Sequence, residues 1–237
     1  MRRYGKNSTR LFFLVLSLVV AVLGAFRFGL IPQRYAPFAP ISLEEPPVWF
    51  VDARLAALRR DPEMCRTVLH APQIVATPIP DRVRPDGCGW TNSVRIAKVG
   101  GAEIGLSQLT CESAAALALW VEHDVQPLAM EMFGSRVAWI QDMGTYSCRN
   151  IIGNKRWLHT RSQHSYANAV DIGAFRLADG RKMSVTRDYR ANTPEGRFLR
   201  EAHMRACRYF RVALGPEFNA AHHDHLHLDR GMLSSCK

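Results

Sequence analysis

Two polar stretches hold the residue types that do chemistry: SQHSYANAVD over residues 162–171 and AHHDHLHLD over residues 221–229. A His followed seven residues later by an Asp, with a distant His-x-His, is a ligand set that a divalent metal gathers from two neighbouring strands. Zinc, one ion, suits these N and O donors. Three such ligands with a fourth position open to water make the catalytic form of a zinc site, whereas structural sites are usually closed and thiolate-rich. Zinc lowers the pKa of that water towards neutrality, and a nearby carboxylate or imidazole takes the proton.

The elements that must position these groups follow from spacing. His225 and His227 are two apart, so on a strand both point to one face, while Leu226 and Leu228 point into the apolar one and Asp229 shares the histidine face. Residues 170–175, VDIGAF, read as a buried strand that carries Asp171 into the sheet centre, with His164 presented from the turn before it. Two adjacent strands thereby offer His164, Asp171 and one of the strand histidines to one ion. Asp224 lies three before His227, outside the strand, where it curls over the open position as general base; His222 is the alternative proton carrier. Four histidines and two aspartates fall within residues 222–229. A plain metal-binding tract is the blander account, but the alternation with leucine and the matching first motif weigh against it. The scattered His70, His123, His159 and His203 read as surface or packing residues.

Ser162-x-His164-x-x-Ala167-x-Ala169-x-Asp171 resembles the S-x-H-x-x-G-x-A-x-D signature of the zinc D-alanyl-D-alanine carboxypeptidase, dipeptidase and murein endopeptidase superfamily. The chain as a whole resembles the bacterial extensin-like C-terminal domain family, a branch of that fold, over residues 46–236. Further matching pieces are PPVWFVDARLAAL, CGW (88–90), ALW (118–120), YSCR (146–149), FLREAHMRAC from Phe198 and LGPEFN from Leu214. The resemblance implies that His164, Asp171 and His227 ligate zinc, that Asp224 is the base of a D-x-x-H pair, and that His225 assists beside the metal. It further implies that Arg149 grips substrate; Ser162, which also reads as a turn residue, joins it as a substrate-side candidate. The implied substrate is peptidoglycan stem peptide, cut as by a carboxypeptidase or endopeptidase. Ala167 replaces the usual Gly, so a turn needing positive φ would be strained there by about 1 kcal/mol. Asn168, which tolerates such a conformation, is the alternative seat.

At the N-terminus Arg2, Arg3, Lys6 and Arg10 precede an apolar run over residues 11–26. Sixteen residues is short for a spanning helix and long for a signal-peptide core. With no good small-x-small cleavage site, residues 1–31 read as an uncleaved signal anchor, or a signal peptide if cut. The basic flank would stay in the cytoplasm and the domain would reach the periplasm, held at the inner membrane. Residues 32–47 hold Pro32, Pro37, Pro40, Pro46 and Pro47 and read as an extended tether. The formal charge is +10, yet residues 1–34 contribute six basic and no acidic residues, leaving 25 against 21. That excess does not call for nucleic acid; an anionic wall polymer or membrane surface is compatible with it.

Residues 48–237 are one domain's worth, expected to be α+β: a small central, mainly antiparallel sheet carrying the zinc site, flanked by helices. Helices are expected over residues 51–60, with Leu55 and Leu58 inward and Arg54, Arg59 and Arg60 outward, then over 62–69 and 113–133. Strands over 93–99 and 102–109 are joined by Gly100-Gly101, a strong hairpin signal. Residues 136–143 and 182–187 read as strands, and 146–163 as an irregular stretch bringing Arg149 towards the metal. Thr193 and Pro194 open a helix expected to run to Leu214. The six cysteines lack any Cys-x-x-Cys pair, and in an exported chain they read as three disulfides: Cys88 with Cys111 across the hairpin ends, Cys207 with Cys236, and Cys65 with Cys148. No Gly-x-Ser-x-Gly elbow is present, which disfavours a serine hydrolase. A domain that binds wall peptide or a partner protein without cutting, and a metal store built on the histidine tract, are the rival functions.

Overall fold

The computed structural model describes residues 5–32, 35, 39–153 and 157–237, with side chains from residue 8. Arg2, Arg3 and the Lys6 side chain of the basic leader, with Arg34 and Pro37 further on, lie outside the described residues. The chain divides into two units, Met1–Ala39 and Pro40–Lys237. The first holds α1, Gly5–Arg27, whose stretch Ser8–Arg27 has a mean hydropathy of 2.3. Its 23 residues rise about 35 Å, so by length and composition it could cross a membrane. The expected tether is shorter than proline content suggests. Ile41 and Leu43 are buried in the second unit, and the Pro40 carbonyl accepts from the Arg54 guanidinium at 2.8 Å. That bond also turns Arg54 inward, against expectation.

In the second unit α2 (Val51–Ala57) and α3 (Pro62–Leu69) precede β1 (Ile74–Ile79), a ribbon of β2 (Arg82–Val83) and β3 (Gly89–Trp90), and the hairpin β4 (Ser93–Val99) and β5 (Ala102–Thr110). Next, α4 (Cys111–Trp120) passes through a π-helical stretch, Val121–Val125, into α5 (Gln126–Phe133). After these come β6 (Val137–Gly144), β7 (Ala169–Leu177), β8 (Lys182–Ser184), α6 (Val185–Asp188), α7 (Pro194–Ala206), β9 (Val212–Leu214), β10 (Leu226–Asp229) and β11 (Ser235–Cys236). Among the described residues the main sheet has nine strands, ordered β1-β4-β5-β6-β7-β10-β9-β11 with β8 beside β7. Within it β5/β6 and β9/β11 are parallel and the other pairs antiparallel. The fold is α+β as expected, with a larger sheet than the small one foreseen.

Local chemistry explains the elements. Gly100 and Gly101 both take positive φ, 54° and 80°, which the tight hairpin turn between β4 and β5 requires and which glycine adopts without strain. Residues of α4 are buried all round, the pattern of a helix at the centre of a core rather than on a surface. Asp61 caps α3 by accepting from Met64 N–H at 2.9 Å, and Thr193 caps α7 by accepting from Gly196 N–H at 3.2 Å.

Four expectations are corrected. The strand expected over 182–187 stops at Ser184, because Asp188 accepts the Ser184 N–H at 2.8 Å and starts the short helix α6. The helix from Thr193 ends at Ala206, and Val212–Leu214 instead pairs with β10 as β9; strand pairing prevails over a continued helix. Residues 74–79, to which no element was assigned, form an edge strand, a position that tolerates Pro78. Two disulfides differ from expectation: Cys65 pairs with Cys111 and Cys88 with Cys148, while Cys207–Cys236 is as foreseen. Cys111 opens α4 inside the core, where α3 brings Cys65 within 6.0 Å Cα to Cα, and Cys88 faces the segment carrying Arg149.

Candidate metal centre

The register of the sheet builds the centre. In the antiparallel pairing of β7 and β10, His227 sits directly opposite Asp171, and opposed residues share a face with side chains in reach of each other. Leu226 and Leu228 point into the core. His164 comes from a 3-10 turn, Gln163–Tyr166, where Ser162 Oγ accepts the His164 N–H at 3.3 Å. Ser162 is therefore turned into the turn and buried. The turn closes through Ala167 at φ 50°, so the left-handed position falls on the alanine itself. Asn168 does not take it over; its amide oxygen accepts from Thr110 Oγ1 at 2.7 Å and Ser113 Oγ at 2.8 Å, tying the turn to β5 and α4.

Three ligand atoms meet. His164 Nε2 lies 3.1 Å from His227 Nδ1 and 3.2 Å from Asp171 Oδ2, and His227 Nδ1 lies 2.9 Å from Asp171 Oδ1. Donors about 2.0–2.1 Å from a tetrahedral zinc stand roughly 3.3 Å apart, so the triangle is close to the face a zinc ion would occupy. The donor set fits as well. His227 Nε2 donates to Asp229 Oδ2 at 2.9 Å, so a cation that displaces the Nδ1 proton would find the Nδ1 lone pair facing the triangle, an arrangement common to metal-binding histidines. Asp229, given no role from the sequence, joins the candidate site through this contact; its place two residues after His227, on the same face, was the available signal. Burial lowers His227, but Asp171 and Asp229 overcome it and raise the imidazole to about 9. Burial raises Asp171, but hydrogen bonds from His164 and His227 hold its carboxyl far below the usual range. The two buried carboxylates thus make a field that favours a cation.

The remaining candidates lie around this triangle. His225 places Nε2 3.6 Å from Asp171 Oδ1, and its Nδ1 is bound to Asp224 Oδ1 at 2.8 Å. Asp224 therefore reaches the cluster through His225, and that hydrogen bond, against the effect of burial, lowers its carboxyl. The His222 ring lies 5.3 Å from His225 and 5.6 Å from His227, with Nδ1 on Asn219 Oδ1 at 2.7 Å. Burial, then the charges of His227 and His225, lower it to about 4. Arg149 lies close enough for its charge to add to that effect on His222, and its backbone N–H is fixed by Ser165 Oγ at 3.0 Å. A second group, Asp86, Cys88 and Cys148, has ligand-like spacing, but both cysteines are in a disulfide and offer no thiolate. Of two clefts of about 520 and 480 Å³ the second reaches the His164 turn at Gln163, Tyr166 and Asn168, and none of the three candidate ligands lines either.

A family model described as Extensin-like protein C-terminus matches residues 63–237. Neither the curated proteins nor the solved structures give a match to the chain.

Proposed function

The chain belongs to the extensin-like protein C-terminus family, and for this member of it we propose, from the geometry of the candidate centre, a zinc-dependent peptidase of cell-wall stem peptides, of carboxypeptidase or endopeptidase type. The observation that carries this reading is the convergence of His164 Nε2, His227 Nδ1 and Asp171 within 3.2 Å of one another, with Asp229 fixing the His227 tautomer from behind. These three residues would hold zinc, which would supply Lewis-acid polarisation of a peptide carbonyl and a more acidic water molecule.

The chain's own groups do the rest. His225 presents Nε2 to the reacting face and is kept in that orientation by Asp224, so the Asp224–His225 pair accepts the proton from water and returns it to the leaving amine. His222 flanks the same face and hydrogen-bonds as a neutral imidazole. Arg149, on the segment tethered by Cys88–Cys148, binds a carboxylate or carbonyl of the peptide, a task its planar guanidinium suits. Three disulfides among the described residues accord with an oxidising compartment, and α1 accords with a periplasmic domain held at the inner membrane. Digestion of defined muropeptides by wild type, His227→Ala and Asp224→Ala tests the reading. Both variants lose product formation, and only His227→Ala loses zinc. Stoichiometric zinc with no product from any muropeptide moves the protein to a binding role.

A further inference from the structure

Past the ligand triangle the sheet continues as an uncovered face. On β4 and β5 the large apolar side chains are buried while Arg95, Ala97, Lys98, Glu103, Gly105 and Ser107 are exposed, the alternation of a sheet with one face to water. This face is continuous with the metal centre. A Cβ on Gly173 would meet Met143 Sδ at 2.6 Å and Gln141 Cδ at 3.7 Å, so both side chains lie over Gly173. That glycine is two residues from Asp171 and shares its side of β7. At the far end Trp139 is paired with Arg176, and Arg176 Cζ and Lys182 Nζ stand 5.5 and 5.8 Å from the indole ring. Both cations are exposed, and neither has an ion-pair partner among the described residues. Glu103, opposite Trp139 on β5, is engaged by Lys98 at 3.8 Å. Beside the Lys98–Glu103 pair, Arg176 and Lys182 thus leave this end of the face positively charged.

We propose that Trp139, Arg176 and Lys182 form a subsite for a carboxylate carried by the peptide on which the metal centre acts, an inference that rests on the peptidase reading. The indole holds the two cations in place by cation–π attraction without neutralising them, so their charge is left for a ligand. Arg176 lies five steps along β7 from Asp171, about 15 Å at the rise of a strand shortened by the register shift between Ile172 and Ala174. An extended peptide covers that distance in about four or five residues. The substrate chain is therefore acidic, its carboxylate four or five positions from the scissile bond, and the same spacing sets the direction in which it lies across β6 and β7.

The test is binding of two fluorescein-labelled ten-residue peptides, identical but for two Glu residues replaced by Gln, to the full-length zinc-loaded protein in detergent, read by anisotropy. The Glu peptide binds about tenfold more tightly at low salt, and the gap closes in high salt because the cations are exposed. In the Arg176→Gln/Lys182→Gln double variant the preference disappears with zinc content and far-UV circular dichroism unchanged, and Trp139→Leu reduces it. Equal binding of both peptides to wild type, or a preference kept by the double variant, overturns the proposal. So does displacement of the Glu peptide by a galacturonate trimer at equal concentration, which would assign the face to an acidic sugar. If the wild type shows the preference, the double variant loses it, and neither peptide nor any muropeptide is cut, the subsite stands and the peptidase reading falls.

Discussion

Asp229→Asn isolates the group behind the proposed metal centre. Both Asp229 oxygens accept hydrogen bonds: Oδ2 from His227 Nε2 at 2.9 Å and Oδ1 from the Gly231 N–H at 2.8 Å. An asparagine amide has one oxygen and one NH2, so it must aim a donor at one of these two partners. Aimed at His227, the NH2 requires Nε2 to accept, which moves the proton to Nδ1 and removes that nitrogen as a ligand. Aimed at Gly231, it faces another N–H in a buried place, at a cost of about 1–3 kcal/mol. Either arrangement weakens zinc binding, by about 10- to 100-fold for loss of such an outer partner, or about 1.4–2.8 kcal/mol. Competition with a chromophoric zinc chelator near neutral pH measures it, with Asp224→Asn as the control that keeps its affinity. An Asp229→Asn affinity within threefold of wild type, in a folded protein, refutes the assignment of His227 Nδ1 as a ligand oriented by Asp229.

Ala167→Gly relieves a left-handed alanine worth about 1–2 kcal/mol while losing a buried methyl of about 0.8 kcal/mol and adding unfolded-chain entropy of about 0.5–1 kcal/mol. Its net effect on denaturant unfolding is within about 0.5 kcal/mol of zero. Ala116→Gly, equally buried but helical, costs about 2 kcal/mol; equal losses at the two positions would show that the turn is not strained. Removing Cys65–Cys111, a separation of 46 residues, destabilises by about 4 kcal/mol, and non-reducing peptide mapping recovers Cys65 with Cys111 and Cys88 with Cys148; a Cys88–Cys111 peptide contradicts the fold. The hydrogen bond from Arg211, opposed by burial and reinforced by Arg230, lowers Asp52 from 3.8 to about 2. Because the folded value is the lower one, this stabilisation is present above about pH 4 and is lost as pH falls through 2. Linkage makes it about 2.4 kcal/mol, and screening of a carboxylate 55 % exposed reduces it to about 1 kcal/mol. The stability gap between wild type and Asp52→Asn in acid titrations narrows over that range; a gap constant with pH counts against the ion pair.

What the sequence made legible were features whose cause is local. Paired glycines set the β4–β5 turn, Thr193 and Pro194 marked the start of α7, and the two-residue spacing of His225, His227 and Asp229 assigned their shared face before any partner was known. The failures belong to contacts between distant segments. Nothing near Val212 announces that β10 will claim it from the helix, and Cys111 looks like a hairpin end until α4 draws it into the core against α3. Arg54 reads as an outward cation because its partner, the Pro40 carbonyl, belongs to a stretch whose prolines resemble a free tether. At the candidate centre, the meeting of His164, Asp171 and His227 was expected, but the step from Asp224 to the cluster through His225, and the two-sided hold of Asp229, depend on distances that no spacing encodes.

The central claim is that His164, Asp171 and His227 share one zinc ion. X-ray absorption at the zinc edge on the purified full-length protein tests it most directly. One zinc per chain with nitrogen and oxygen donors at about 2.0–2.1 Å is the expected result, with loss of that signal in His164→Ala and His227→Ala. Substoichiometric zinc, sulfur donors near 2.3 Å, or a spectrum unchanged in His227→Ala would contradict it.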